Sequence, residues 1–75
     1  MRTQARELRP IKIHMLNGRQ RTYVRTVKAF NLKDAINVWY DEQRFALGLH
    51  AALFTANTVT CLNREDEEAT YVATD

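Results

Sequence analysis

A chain of 75 residues with a single cysteine has room for one domain and none for an internal disulfide. Apolar residues make up 45% and aromatic residues 9%, which marks a chain that folds and excludes a disordered one. At this length only about 60–65% of the unfolded surface is buried, so little concavity is left for an active site. The net charge of +2 hides a split: residues 1–44 hold ten Lys/Arg against four Asp/Glu, and residues 45–75 hold Arg64 against five Asp/Glu. The first part carries +6 and the second −4, a field uneven enough to steer a charged partner.

Residues 1–9 are polar and aperiodic, and read as a flexible basic arm with Arg2, Arg6 and Arg9 against Glu7. Met1 to Gln4 form no apolar core of a signal peptide. The longest apolar stretch, Leu47 to Phe54, is far short of the roughly 18 residues that span a bilayer. No membrane segment and a cytoplasmic location are therefore expected, and the lone Cys61 fits a reducing compartment.

Pro10 opens the folded domain, expected over 10–75. Residues 11–15 alternate with period two, as a half-buried strand does. Asn17-Gly18 is a hairpin signal, since both residues tolerate positive φ. The return strand spans about 20–30, with Tyr23, Val27 and Ala29 on its apolar side. Placing these with Ile11 and Ile13 requires paired numbers with an even sum, which points to a bulge at Gly18 or a longer loop. Arg25 falls on the same inner face and must reach around an edge.

Asn31 has the chemistry of a helix N-cap, with Asp34 in the capping-box position. The helix is expected over 32–47, with Leu32, Ala35, Ile36, Trp39, Gln43, Ala46 and Leu47 on one stripe and Gly48 ending it. Residues 49–57 lack a clean period and fit a helix end, a packed loop or an irregular strand. Residues 58–62 are β-branched and read as a strand, 63–68 as an acidic turn and 69–74 as a last strand.

The fold class this implies is α+β: one antiparallel sheet in the order β-β-α-β-β, with one helix on one face. A right-handed crossover predicts strand order 2-1-3-4. Trp39, Ile36, Ile11, Ile13, Val27 and Val59 or Cys61 form the expected core. Lys12, His14, Thr26 and Lys28 face water on the other side.

Candidate chemistry is sparse. His14, His50 and Cys61 are the soft metal ligands and lack the spacing of a zinc site. No phosphate-cradling or dinucleotide motif is present, and no nucleophile–base pair is indicated. The reading is a non-enzymatic protein without cofactor or metal. Its candidate partner-binding residues are Arg2, Arg6, Arg9, Lys12, Arg19 and Arg21, with Glu65, Asp66, Glu67 and Glu68 as a second, acidic set. A basic patch with Tyr23 or Phe30 for stacking also suits nucleic acid.

Residues 23–36 (YVRTVKAFNLKDAI) join a strand ending in Ala29 to a capped helix. This segment resembles the strand–cap–helix unit of small podophage inhibitors of bacterial RNA polymerase. It is also similar to that of some anti-CRISPR proteins and of a β-β-α-β archaeal ribosomal protein. The resemblance implies a phage-type regulator that binds and inhibits or redirects a host nucleic-acid-processing complex, RNA polymerase first. The alternatives are an anti-CRISPR protein on a CRISPR effector complex and a direct DNA/RNA-binding module using the arm and first hairpin.

Overall fold

Apolar alternation at Ile11 and Ile13 and at Val27 and Ala29 sets one side of the first hairpin against the helix, and all four residues are buried. The computed structural model describes residues 7–75; Arg2 and Arg6 lie outside the described residues. Strand β1 (Arg9–Asn17) and strand β2 (Gln20–Ala29) form this hairpin. The strand takes in Arg9, expected in the basic arm.

Gly18 stands at φ 63° in the two-residue connection, the glycine-first pattern of a type II′ turn. Near the turn the paired numbers have an odd sum, Asn17 with Gln20 and His14 with Tyr23. Beyond it the sum is even, Ile13 with Arg25 and Ile11 with Val27. The expected extra residue therefore exists, but it is Val24 in mid-strand, not Gly18. The bulge leaves Val27 and Ala29 under the helix and turns Tyr23 to the other face, correcting its expected inward position. Arg25 lies opposite Ile13, on the helix side, and reaches within 3.9 Å of Glu42.

Helix α1 (Leu32–Leu47) has the expected caps. Asn31 Oδ1 accepts from the Asp34 N–H at 2.7 Å, and the Asp34 carboxylate accepts from the Phe30 N–H at 3.1 Å, one residue before the cap. At the other end Leu49 N–H donates to Arg44 O and Gly48 N–H to Phe45 O, with Gly48 at φ 65°. This is a Schellman ending, which requires a left-handed residue. Ala35, Ile36 and Trp39 are buried on the sheet, whereas Ala46 and Leu47 at the last turn are exposed.

The remaining strands are β3 (His50–Phe54), β4 (Thr58–Leu62) and β5 (Glu68–Thr74). The sheet is fully antiparallel in the order β2-β1-β5-β4-β3. The α+β class holds, but the expected order 2-1-3-4 is corrected, because residues 50–54 add a fifth strand. That extra strand reverses every direction after it. Residues 58–62 then run parallel to β1, so the last strand fills the antiparallel position beside it. Helix α1 crosses from one edge strand, β2, to the other, β3.

Beneath the helix lie Ile11, Ile13, Val27, Ala29, Val59, Cys61, Tyr71 and Ala73, with Trp39 against Tyr71 at a ring distance of 4.2 Å. Both Val59 and Cys61 belong to this core. No helix of the described residues is long and apolar enough to cross a membrane.

Candidate partner-binding surface

Odd-numbered residues of β1 point under the helix, so even-numbered ones and their cross-strand partners line the open face. Register then arranges that face in rows. Thr26, Lys12 and Thr74 form one row, Tyr23, His14, Val72 and Thr58 the next, and Arg21, Leu16, Thr70, Thr60 and Leu53 a third. Lys28, opposite Pro10, lies on the same face at the β2 edge. Lys12, Arg21 and Lys28 thus share one basic strip, and all three are exposed. Away from the strip the face is rich in threonine, and Thr60 and Thr70 share a hydroxyl hydrogen bond of 2.9 Å.

Tyr23 and His14 sit inside the strip. Their rings meet edge-on at 5.8 Å, and Tyr23 Oη is 2.7 Å from Thr26 Oγ1. Tyr23 is 56% exposed, an amphipathic side chain at the surface. Neither the ring pair nor the placement of Tyr23 could be read from alternation, because the bulge at Val24 sets them. The other signal, Lys12 and Lys28 at even positions, was legible.

The other predicted basic residues separate. Arg19 occupies the hairpin turn. Arg9 is engaged by the C-terminal residue: Nη2 lies 2.8 Å and Nε 3.0 Å from Asp75 Oδ1. It ties the ends of β1 and β5 together.

The acidic segment is an ordered loop built on Asn63. The Asn63 side-chain carbonyl accepts from the Glu65 and Glu67 N–H groups, and its amide donates to Glu67 Oε1. Asp66 takes φ 59°, and its carboxylate lies 3.1 Å from His50 Nε2, while His50 Nδ1 lies 3.1 Å from Gly48 O. Arg64 donates to Phe45 O, one of the last helix carbonyls. Asp66 and Glu67 therefore serve the loop itself. Glu68 opens β5 opposite Leu62.

Because Thr70 pairs with Leu16, Glu68 stands level with the turn after β1. The basic tip with Arg19 and the acidic loop are neighbours at one end of the sheet, not separate poles. Adjacent strands lie about 4.8 Å apart, so the two hairpins are centred roughly 10 Å from each other.

Among the described residues there is no pocket and no group of three metal-ligating side chains. His14 is on the open face, His50 in the loop contact and Cys61 in the core, so these three do not converge. Burial pushes the Cys61 thiol above its ordinary pKa, and burial followed by Cys61 does the same to Tyr71. No family model, curated protein or solved structure matches the chain.

Proposed function

We propose that this protein is a small non-enzymatic regulator that docks by its basic strip on a host nucleic-acid-processing complex, RNA polymerase first. The observation that carries the reading is the gathering of Lys12, Arg21 and Lys28 around the exposed Tyr23 on one open face. Such a surface suits an anionic partner with a flat, partly apolar patch. The resemblance of residues 23–36 to podophage polymerase inhibitors supports the choice of complex. The test is capture of bacterial RNA polymerase from lysate by the tagged full chain at moderate salt, followed by transcription in vitro. Capture and inhibition that are lost in Lys12→Glu/Arg21→Glu/Lys28→Glu support the reading. Absence of polymerase from the eluate removes it, and a CRISPR effector complex in its place favours the anti-CRISPR alternative.

Tyr23 favours a second reading, direct binding of single-stranded nucleic acid, since an exposed ring beside cations stacks bases. Fluorescence anisotropy with a labelled oligonucleotide separates the two. Binding that weakens steeply with salt and is lost in Tyr23→Ala supports direct contact. No change in anisotropy at low salt rejects it.

A further inference from the structure

The open face carries its cations and its exposed ring in order along one line. Alternate residues of a strand stand about 7 Å apart, so the rows of this face follow one another at that step. Arg21 stands in the first row, Tyr23 in the next, Lys12 in the third and Lys28 in the fourth, all on the adjacent strands β2 and β1. The line is therefore about 20 Å long. Tyr23 is oriented within it by two neighbours, the Thr26 hydroxyl and the edge of the His14 ring. Neither end extends the line. Past the Arg21 row come Glu65 and Glu68 of the acidic segment, and past the Lys28 row Arg9 is engaged by Asp75.

We infer that this line holds one extended single strand of nucleic acid, about four nucleotides long, with a base on Tyr23 and phosphates on Arg21, Lys12 and Lys28; the inference rests on the second reading above. Nucleic acid is the polyanion that brings an aromatic plane with every charge, and the line sets a ring among cations. An acidic peptide supplies carboxylates without a plane for the ring. The step between rows matches the step from one phosphate to the next in an extended strand. Four rows then take about four nucleotides, the short end of single-strand sites. Shape disfavours a duplex. Side chains that read a duplex enter its major groove, about 12 Å wide, on a helix or a two-stranded ribbon. This line lies on the face of a five-stranded sheet about 19 Å across, too broad for that groove. A base held in a duplex stack is also closed to the ring. Three phosphates and one stacked base make the binding weak and salt-sensitive.

Anisotropy of labelled oligothymidylates of two to eight nucleotides, with the full chain up to about 500 µM, tests this. Affinity should rise up to about four nucleotides and then level off. The slope of log affinity against log salt should be about −2, since each of three phosphates contributes about 0.7. Lys12→Gln, Arg21→Gln and Lys28→Gln should each flatten it by about 0.7, whereas Arg25→Gln, on the helix side, should leave it unchanged. Tyr23→Ala should weaken binding by about five- to hundredfold and Tyr23→Phe by less than about twofold, both with an unchanged circular dichroism spectrum. A hairpin duplex should bind more weakly than the single strand. Absence of any oligonucleotide binding at low salt removes the second reading and the inference with it, and polymerase capture in that case assigns the line to a protein. Oligonucleotide binding that climbs steadily to eight nucleotides overturns the inference alone. So does equal affinity for the duplex, wild-type affinity in Tyr23→Ala, or a salt slope that the three Gln variants leave untouched; direct nucleic-acid binding would then stand at another surface.

Discussion

Two glycines share a positive φ, but only one is hemmed in. Gly18, φ 63°, has open space where a Cβ would stand, whereas a Cβ on Gly48, φ 65°, would meet the Arg64 side chain at its Cγ. Gly18→Ala then carries the left-handed backbone cost alone, about 1 kcal/mol. Gly48→Ala adds displacement of Arg64 and loss of its hydrogen bond to Phe45 O, for a total of about 2 kcal/mol. Urea unfolding of both variants should order them this way. Equal losses would mean that Arg64 moves aside freely. A second residue-scale effect follows from Cys61. Its thiol is protonated more tightly in the folded chain than in the unfolded one, so between the two pKa values the folded state binds more protons. That stabilisation is present below the unfolded thiol's pKa of about 8.5 and is lost as pH rises through the folded value. The melting temperature should fall from about pH 8.5 upward, less steeply in Cys61→Ala. Parallel slopes for the two proteins would exclude the thiol as the cause.

At the scale of elements, the bulge in β2 has an exact local remedy. Gln20 to Tyr23 pair with Asn17 to His14, and Arg25 to Ala29 with Ile13 to Arg9. Deleting Val24 leaves both sets of pairs intact and removes only the extra residue. The deletion should still fold, with an unbroken β1–β2 ladder, keeping Tyr23 opposite His14. Cross-strand amide contacts by NMR would show this, and a changed partner for Tyr23 would refute it. The same bulge explains what the sequence hides. Helix caps at Asn31, Asp34 and Gly48 are legible because each acts on groups within a few residues. The core pairs of Ile11, Ile13, Val27 and Ala29 are legible because they alternate. Val24 carries no bulge signature, so Tyr23 could not be placed on the correct face. β3 is hidden for a related reason: Ala51 breaks its alternation, and its pairing is set by a strand eight residues on. Missing that one strand was enough to misplace the last two. Of the basic set, Lys12 lay where alternation put it, Arg21 reaches the open face through the same bulge that turns Tyr23, and the ion pair of Arg9 with Asp75 depends on residues 66 apart in sequence.

For the whole molecule, the decisive feature is that the acidic loop adjoins the Arg21 end of the basic strip. A carboxylate about 10 Å from an anionic group held at Arg21 costs roughly 0.4 kcal/mol in water before screening. Two such charges, Glu65 and Glu68, therefore weaken attraction of an anionic partner by up to about fourfold at low ionic strength. On that account Glu65→Gln/Glu68→Gln should bind the strip's partner about two- to fourfold more tightly in low salt. The gain should disappear near 1 M salt, where the Debye length is about 3 Å. Asp66 and Glu67 are left unchanged because they hold the loop to His50 and Asn63. Titration of the partner against both proteins across ionic strength decides between two uses of the acidic block. Tighter binding makes the loop a repulsive neighbour that limits affinity and sharpens the choice of partner. Weaker binding would make Glu65 and Glu68 contacts in their own right, and the surface would then extend from the strip across the end of the sheet.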